Sequence, residues 1–256
     1  MAIETAQQAS HLLDRPGHDP TPSARLPPRA FLRPAKWSGA LRRRAFVARL
    51  PRHVALEARA DVEHVGSAYG GWPVPLGLLD ERSVVYSVGA GEDISFDLGL
   101  IERRGCQVHS FDPTDGAARH IAASPHDGLA FHNLAIWTYD GTLRMHGAAN
   151  PAHIALSAVN LQRTSRTTDV PCRSIESLRT ELGHEHIDLI KLTVDGGEYE
   201  LLPTLQLRRW GTRVLVVTFH HNRPPRAALR LIGALRVQGM VPVARRDTAF
   251  TFVRRG

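Results

Sequence analysis

Two spacings of apolar residues take turns along this chain. Short, nearly continuous apolar runs recur, each closed by glycine, proline or an acid, with stretches of helical length between them. The first complete set opens with the β-branched run Val84–Val85–Tyr86–Ser87–Val88 and the tight turn Gly89–Ala90–Gly91. A helix-length segment follows from Ile94 to Arg104, stopped by Gly105, and then the run Gln107–Val108–His109–Ser110–Phe111, which ends on Asp112–Pro113. That order is strand, glycine loop, helix, strand. Downstream the pattern predicts a helix over Ala117 to Ala123, a strand over Leu129 to Trp137 and an irregular excursion over 138–170, with a hairpin signal at Asp140–Gly141. A short helix, Arg173 to Leu182, leads to a buried-type strand, Ile187 to Val194, which stops at Asp195–Gly196–Gly197. Glu198 to Leu205 then reads as helix, Val214 to Phe219 as strand and Arg226 to Gln238 as a long helix started by Pro224–Pro225. Two short strands close the chain, Met240 to Ala244 and Ala249 to Val253, with Arg245–Arg246–Asp247 turning between them. Such alternation predicts an α/β fold, a doubly wound and mostly parallel sheet with a C-terminal antiparallel hairpin.

The first sixty or so residues break this rhythm. Prolines at 16, 20, 22, 27, 28 and 34 predict a disordered or irregular leader over 1–35, because proline fixes φ and removes a donor. Helical spacing of Leu41, Ala45, Phe46 and Leu50 predicts a helical cap over 36–64, broken at Pro51. Tyr69–Gly70–Gly71–Trp72–Pro73 reads as a tight loop and not a strand. Residues 65–256 form the single large domain.

Composition narrows the classes. Hydrophobic residues at 43% and charged ones at 22% are ordinary for a globular protein. No apolar run approaches the roughly 20 residues that cross a bilayer, so no membrane span is expected. Met1 to Ser10 lacks the pattern of a secretory signal, which makes the cytoplasm the default location. The two cysteines, Cys106 and Cys172, have no metal-like spacing, and no metal is expected. The net charge of +7 sits in residues 1–60, where ten Arg and one Lys face four acids. The large domain is balanced, so a nucleic-acid partner is not expected, although a basic leader could touch lipid or RNA.

The glycine loop carries the first candidate chemistry. Glycines let the backbone approach a ligand, and a helix N-terminus points free N–H groups at it. A dinucleotide fingerprint needs a third glycine where Ile94 stands. Glu92 and Asp93 stand beside it instead, hostile to a pyrophosphate and suited to a cationic cofactor. S-adenosyl-L-methionine, with a ribose, a sulfonium and an ammonium, fits better than NAD. Asp112 lies where a carboxylate can accept from both ribose hydroxyls. Expected cofactor contacts are therefore Gly89, Ala90, Gly91, Glu92, Asp93 and Asp112, flanked by Tyr69, Ser95, Phe96, Pro113, Ala135, Ile136 and Asp195.

Several segments, in this order, match a known family. YGGWPVP (69–75), VYSVGAGEDISFD (85–97), VHSFDPT (108–114), AIWTYDGTLRM (135–145), IDLIKLTVDGGEYELL (187–202) and TFHH (218–221) resemble the FkbM-type methyltransferases from about residue 65 to 253. The resemblance implies a seven-stranded Rossmann-like class I sheet, S-adenosylmethionine as cofactor and, in most members, a hydroxyl oxygen as acceptor. It departs at Thr193, where relatives carry Asp, at Asp195 for Glu, at Gly197 for Ala, and at Ser87, where many class I enzymes carry an acid.

Oxygen methylation is an in-line displacement that needs alignment and a base. His220, His221 and Asp195 are the candidate catalytic residues, with a histidine as base and Asp195 orienting it or the substrate. Lys191 should pair with a carboxylate such as Asp195, and Glu198 should cap its own helix. The expected acceptor is a small-molecule or glycan hydroxyl, on a sugar, polyketide or other secondary metabolite, and a homodimer is compatible with the chain. Two rival readings stay open: a catalytically silent binding module, which Thr193 hints at, and an RNA-directed methyltransferase using the basic leader.

Overall fold

The computed structural model describes residues 34–150 and 155–255. The expected leader lies outside them except for its last two residues, which begin a helix. In chain order the elements are α1 (Pro34–Arg49), β1 (Val62–Val65), β2 (Trp72–Pro75), β3 (Val84–Val88), α2 (Ser95–Arg104), β4 (Gln107–Phe111), α3 (Asp115–Ala123) and β5 (Leu129–His132). Next come β6 (Ala135–Ile136), β7 (Gly141–Gly147), β8 (Leu156–Ser157), β9 (Thr167–Arg173), α4 (Ile175–Glu181), β10 (Leu189–Leu192) and α5 (Glu198–Leu201). The chain ends with β11 (Val214–Thr218), α6 (Pro225–Val237), β12 (Met240–Arg246) and β13 (Ala249–Arg254).

Seven strands form the central sheet in the order β12-β13-β11-β10-β3-β4-β5. β11, β10, β3, β4 and β5 run parallel, and β13 is antiparallel to both its neighbours. This is the class I arrangement expected from the alternation of elements. Every residue of β3 and β10 is buried, as strands covered on both faces must be. Alternate residues serve opposite faces: Tyr86 and Val88 join the core with Ile190, Leu215 and Ile232, while Val85 joins Phe96, Leu100 and Val108 on the other side. After β3 the chain winds outward through β4 and β5, and after β10 it winds the other way. The two carboxyl ends at this reversal, those of β3 and β10, are where an open α/β sheet binds its ligand.

Four expectations are corrected. Residues 138–170 hold much of a second sheet, four strands in the order β6-β9-β7-β8. Only Leu143 and Met145 on β7 and Val170 and Cys172 on β9 point inward, so a thin alternation was hidden among polar residues. The strand expected over Leu129 to Trp137 is two strands in different sheets. Asn133 marks the break, donating its amide to the carbonyl oxygens of Asp112 and Thr114. Upstream, Trp72–Pro75 is a strand paired with β1, so only Tyr69 to Gly71 turns and the helical cap stops short of residue 64. A two-stranded ribbon has no central position, so Pro73 and Pro75 cost it little. Pro51 does end α1, in a short 3₁₀ turn at Leu50–His53. No helix among the described residues is long and apolar enough to cross a membrane.

Candidate functional site

The carboxyl ends of β3, β4, β10 and β11 open into one cleft of about 710 Å³. Of the expected residues, Tyr69, Gly89 to Asp93, Asp112, Pro113, Ala135, Ile136, Asp195 and His220 line it. Ser95, Phe96 and His221 do not. Phe96 is a core residue beneath the loop, and the Ser95 hydroxyl accepts a hydrogen bond from the Ser67 amide at 2.7 Å.

Neighbouring strands force the glycine loop. A Cβ on Gly89 would sit 1.9 Å from the Thr193 carbonyl oxygen, where β3 and β10 run out side by side. Gly91, at φ +62°, turns its amide to donate to Asp112 Oδ2 at 2.9 Å. The other oxygen of Asp112 accepts from the amide and the hydroxyl of Thr114, at 2.9 and 2.5 Å. Three of roughly four acceptor positions are thus filled from within. Asp112 braces the loop and keeps about one position for an incoming donor, fewer than two ribose hydroxyls would use unless Thr114 rotates.

The two acids after the loop differ. Glu92 is exposed at the rim. Asp93 is occupied: it accepts from the Ser67 hydroxyl at 2.6 Å and the Ser95 amide at 3.1 Å. Burial opposes its charge, but these bonds and the Gly70 backbone outweigh burial and hold its pKa below the usual carboxylate range. Asp93 so ties the 67–71 loop to α2, and Arg246 grips the same loop through the carbonyls of Ala68, Tyr69 and Gly71. Tyr69 is held at the cleft mouth with its side chain out, 84% exposed.

Beneath the loop lies a polar floor. Lys191 is 5% exposed and donates to the Gly89 carbonyl at 3.0 Å, not to Asp195 as expected. Burial lowers its pKa, opposed by the charges of Asp97, Asp112 and Asp93. Asp97, 1% exposed in the first turn of α2, is raised by burial and opposed first by the Lys191 charge. The Ser110 hydroxyl donates to it at 2.9 Å, while its second oxygen and the Ser87 hydroxyl have no partner within hydrogen-bond geometry. Asp97 was missed in the sequence because α2 reads locally as an ordinary amphipathic helix.

Asp195 and His220 sit at the far side. Asp195 has φ +45°, a left-handed conformation that Asp tolerates better than most residues, and its carbonyl accepts from the Ser157 hydroxyl at 2.7 Å. His220 stands between two acids, with Nε2 3.1 Å from Asp195 Oδ1 and Nδ1 3.3 Å from Glu198 Oε2. Burial alone would lower the His220 pKa, but the two carboxylates outweigh it and push it up to about 10. At neutral pH both ring nitrogens carry protons, so His220 has no lone pair to act as base. His221 is kept below its ordinary value by burial and by the positive charges of His220 and Arg43, away from the cleft.

An apolar wall faces this pair. Trp137, Leu143, Met145 and Leu156, brought in by the second sheet, line the cleft, and the Trp137 ring packs against Gly197. No cluster of three or more histidine, cysteine or acidic side chains fit for a metal ion occurs among the described residues.

A family model described as the methyltransferase FkbM domain matches residues 79–250. A human protein named probable methyltransferase-like protein 24 is 32% identical over 131 residues, covering 51% of this chain and 30% of that protein. Its rat counterpart is 31% identical over 124 residues, covering 48% and 28%. The chain thus spans less than a third of the length of those relatives. Among solved structures, an rRNA methylase from Streptococcus thermophilus aligns with TM-score 0.37 and 11% identity over 70% of this chain and 92% of that one. The N-terminal domain of human METTL16 in complex with SAH aligns with TM-score 0.40 and 13% identity over 86% and 84%. Likenesses this distant say nothing of an acceptor.

Proposed function

The chain belongs to the FkbM family of S-adenosylmethionine-dependent methyltransferases, and from that premise we propose that it methylates a hydroxyl oxygen on a small molecule with an apolar body, such as a polyketide or a sugar carried on an apolar group. The observation that carries this reading is the single cleft joining an acid-flanked glycine loop to Asp195 beneath an apolar wall. S-adenosylmethionine, when bound, supplies the methyl group on a cationic sulfur. Gly89 to Gly91 admit it closely, Asp112 offers its remaining acceptor position to the ribose, and Glu92 places a charge at the rim for the ammonium. Ala135 and Ile136 give the adenine a flat apolar contact, and Tyr69 and Pro113 close the edges.

Trp137, Leu143, Met145 and Leu156 bury the acceptor's body and turn its hydroxyl toward Asp195. With the cofactor bound, its sulfonium methyl would be the electrophile for that oxygen and its sulfur the leaving group, and Asp195 takes the hydroxyl proton. The base role moves here from histidine to the carboxylate because His220 already holds its proton. Thr193 removes one acid from the cleft, but Asp195, two residues further on, keeps a carboxylate there, so a silent module is not favoured.

The cleft disfavours a polyanion such as RNA. Glu92, Asp93, Asp112 and Asp195 line it, while its two cations, Lys191 and His220, are engaged by Gly89 and by Asp195 with Glu198. We place the protein in the cytoplasm, in keeping with free cysteines at 106 and 172.

Calorimetry with S-adenosylhomocysteine tests the cofactor half. Asp112→Ala should weaken binding about tenfold to a hundredfold, the value of a hydrogen bond to a charged group. Unchanged affinity would remove Asp112 from the ribose. Labelled methyl transfer to a panel of hydroxylated aromatics, macrolides, lipidated sugars and RNA tests the acceptor half, and transfer to RNA in preference to the apolar alcohols would overturn it.

A further inference from the structure

Glu198 is fully buried, and its position at the head of α5 invites the reading that it caps that helix. Its bonds do not fit a simple cap. Oε2 accepts from the Gly196 amide at 2.9 Å and faces His220 Nδ1 at 3.3 Å, and Oε1 accepts from the His220 amide at 2.6 Å. Two of these three contacts reach the exit of β11, 22 residues away in sequence. One carboxylate therefore holds the turn after β10, the strand end beside it and the imidazole between them. A buried carboxylate without a positive partner is strongly disfavoured, and the His220 ring is the only charged group in contact with it among the described residues.

We propose that Glu198 is a positioning residue that fixes the His220 ring as a standing cation, so that Nε2–H pins one oxygen of Asp195 and leaves the other free in the cleft to take the acceptor's proton. The proton step rests on the methyltransferase reading, whereas the clamp is a property of this chain alone. Asp195 is held in its left-handed turn from three directions: by the ring, by the Ser157 hydroxyl on its own carbonyl, and by the Asn222 amide on the Gly196 carbonyl at 3.1 Å. A carboxylate so fixed keeps one orientation while the acceptor aligns, and alignment is most of what methyl transfer needs.

The charged groups around the ring agree with this assignment. Asp195 faces it from the turn and Glu198 from α5. Tyr199, also on α5, donates its hydroxyl to the His220 carbonyl at 2.7 Å, leaving the ring alone. His221 follows on the same strand exit, with Arg43 of α1 acting on it, and Arg223 is paired with Glu200. The two acids are nearer than any of the cations, and the ring's pKa of about 10 reflects that balance.

The test is ring-nitrogen NMR of the whole protein with labelled histidine, assigned by His220→Gln. His220 should stay doubly protonated from about pH 6 to pH 8.5, well above the ordinary histidine midpoint of about 6.5. A midpoint near 6.5 would overturn the proposal. Glu198→Gln, isosteric and uncharged, should bring the midpoint into that window. Should that variant fail to fold, Asp195→Asn alters only the half-exposed acid and should lower the midpoint by a smaller step, with no change overturning the proposal. With an accepted substrate, Glu198→Gln should lower kcat about tenfold, leave the KM for S-adenosylmethionine unchanged and add a histidine limb to the pH–rate profile. A variant whose kcat falls with no change in the shape of that profile would reduce Glu198 to a structural group. If no methyl transfer or cofactor binding is found at all, the functional reading fails, and the ring titration still decides the clamp.

Discussion

Histidines in two regions of this fold are held in opposite charge states. His109 on β4, His132 on β5 and His184 after α4 gather against Tyr86 on the parallel sheet. His109 Nδ1 lies 3.0 Å from His132 Nε2, the Tyr86 hydroxyl 2.8 Å from His184 Nδ1, and the His109 and His184 rings meet edge to face at 4.5 Å. Their polar partners are one another and a phenol, with no carboxylate in contact. Burial, reinforced by the His184 and His132 imidazoles, pushes His109 down to about 4; burial also lowers His132, against the charge of Glu181, and lowers His184 with help from His186, His132 and Arg179. His220 is likewise partly buried, but between two acids, and is pushed up to about 10. Burial is common to both regions, so what sets the charge is the partner. The neutral cluster packs like an aromatic core, with Phe111 stacked on His132 at 4.7 Å. The charged site keeps a proton in a cleft where a reaction can use its consequences.

The strongest way to break this contrast is to remove the acid on the cleft side of His220. Asp195→Asn takes away both the carboxylate that receives the acceptor's proton and one of the two that hold the ring charged. Methyl transfer should fall by about a hundredfold to ten-thousandfold, the usual worth of a positioned base, with S-adenosylhomocysteine affinity nearly unchanged. Full turnover in this variant would mean that the proton leaves by another route. The same substitution made near His109 has no counterpart, because no acid is there to remove.

A second test reads both regions at once through stability. Between pH 6.5 and about 4 the unfolded chain binds a proton at His109 that the folded chain refuses, so stability falls as pH drops through that window. His220 behaves in the opposite sense. Its stabilising contribution is complete below 6.5 and is lost as pH rises from there toward about 10. Calorimetric Tm should therefore decline on both sides of neutrality. Each kcal/mol lost moves a domain of this size by about 2–4 °C, so the acid flank should drop by several degrees before the carboxylates begin to titrate. A Tm flat from pH 7 to pH 4.5 would show that the imidazoles by Tyr86 are better solvated than their packing suggests.

The contrast also marks where sequence reading runs out. Runs such as Val84–Val88 and Leu189–Leu192 announce buried parallel strands by composition alone, and the order of runs gives the sheet. The reach from Gly89 to Asp112 is likewise visible, since loop and acid belong to one strand–helix–strand unit. Glu198 was readable only as a helix cap, because the partner that changes its meaning, His220, arrives from β11. The need of a buried ammonium for a partner points Lys191 to a carboxylate such as Asp195, but its amine donates to the Gly89 carbonyl instead. His109 sits in an apolar run and His220 at a strand end, and neither position reveals whether an acid or an imidazole will stand opposite. The second sheet escaped because its inward residues are few: Leu143 and Met145 on one strand, Val170 and Cys172 on another.

The smallest effect, and the sharpest on the neutral region, comes from His109→Phe. Phenylalanine keeps an aromatic ring against Tyr86, 5.7 Å away between centroids, and against His184, so most of the packing survives. It loses the bond to His132 and leaves His132 Nε2 without that partner, a cost of about 1–3 kcal/mol if the nitrogen stays dry. It also removes the group whose protonation the folded state resists most among the three. At pH 7.5 the first effect acts alone, and Tm should fall by a few degrees. At pH 5 the second offsets it, so wild type and variant should converge as the solution is acidified. Parallel Tm curves, with the variant lower by the same amount throughout, would mean that His109 does not carry the acid sensitivity. The contrast with His220 would then rest on the two carboxylates alone and not on the dryness of the imidazole cluster.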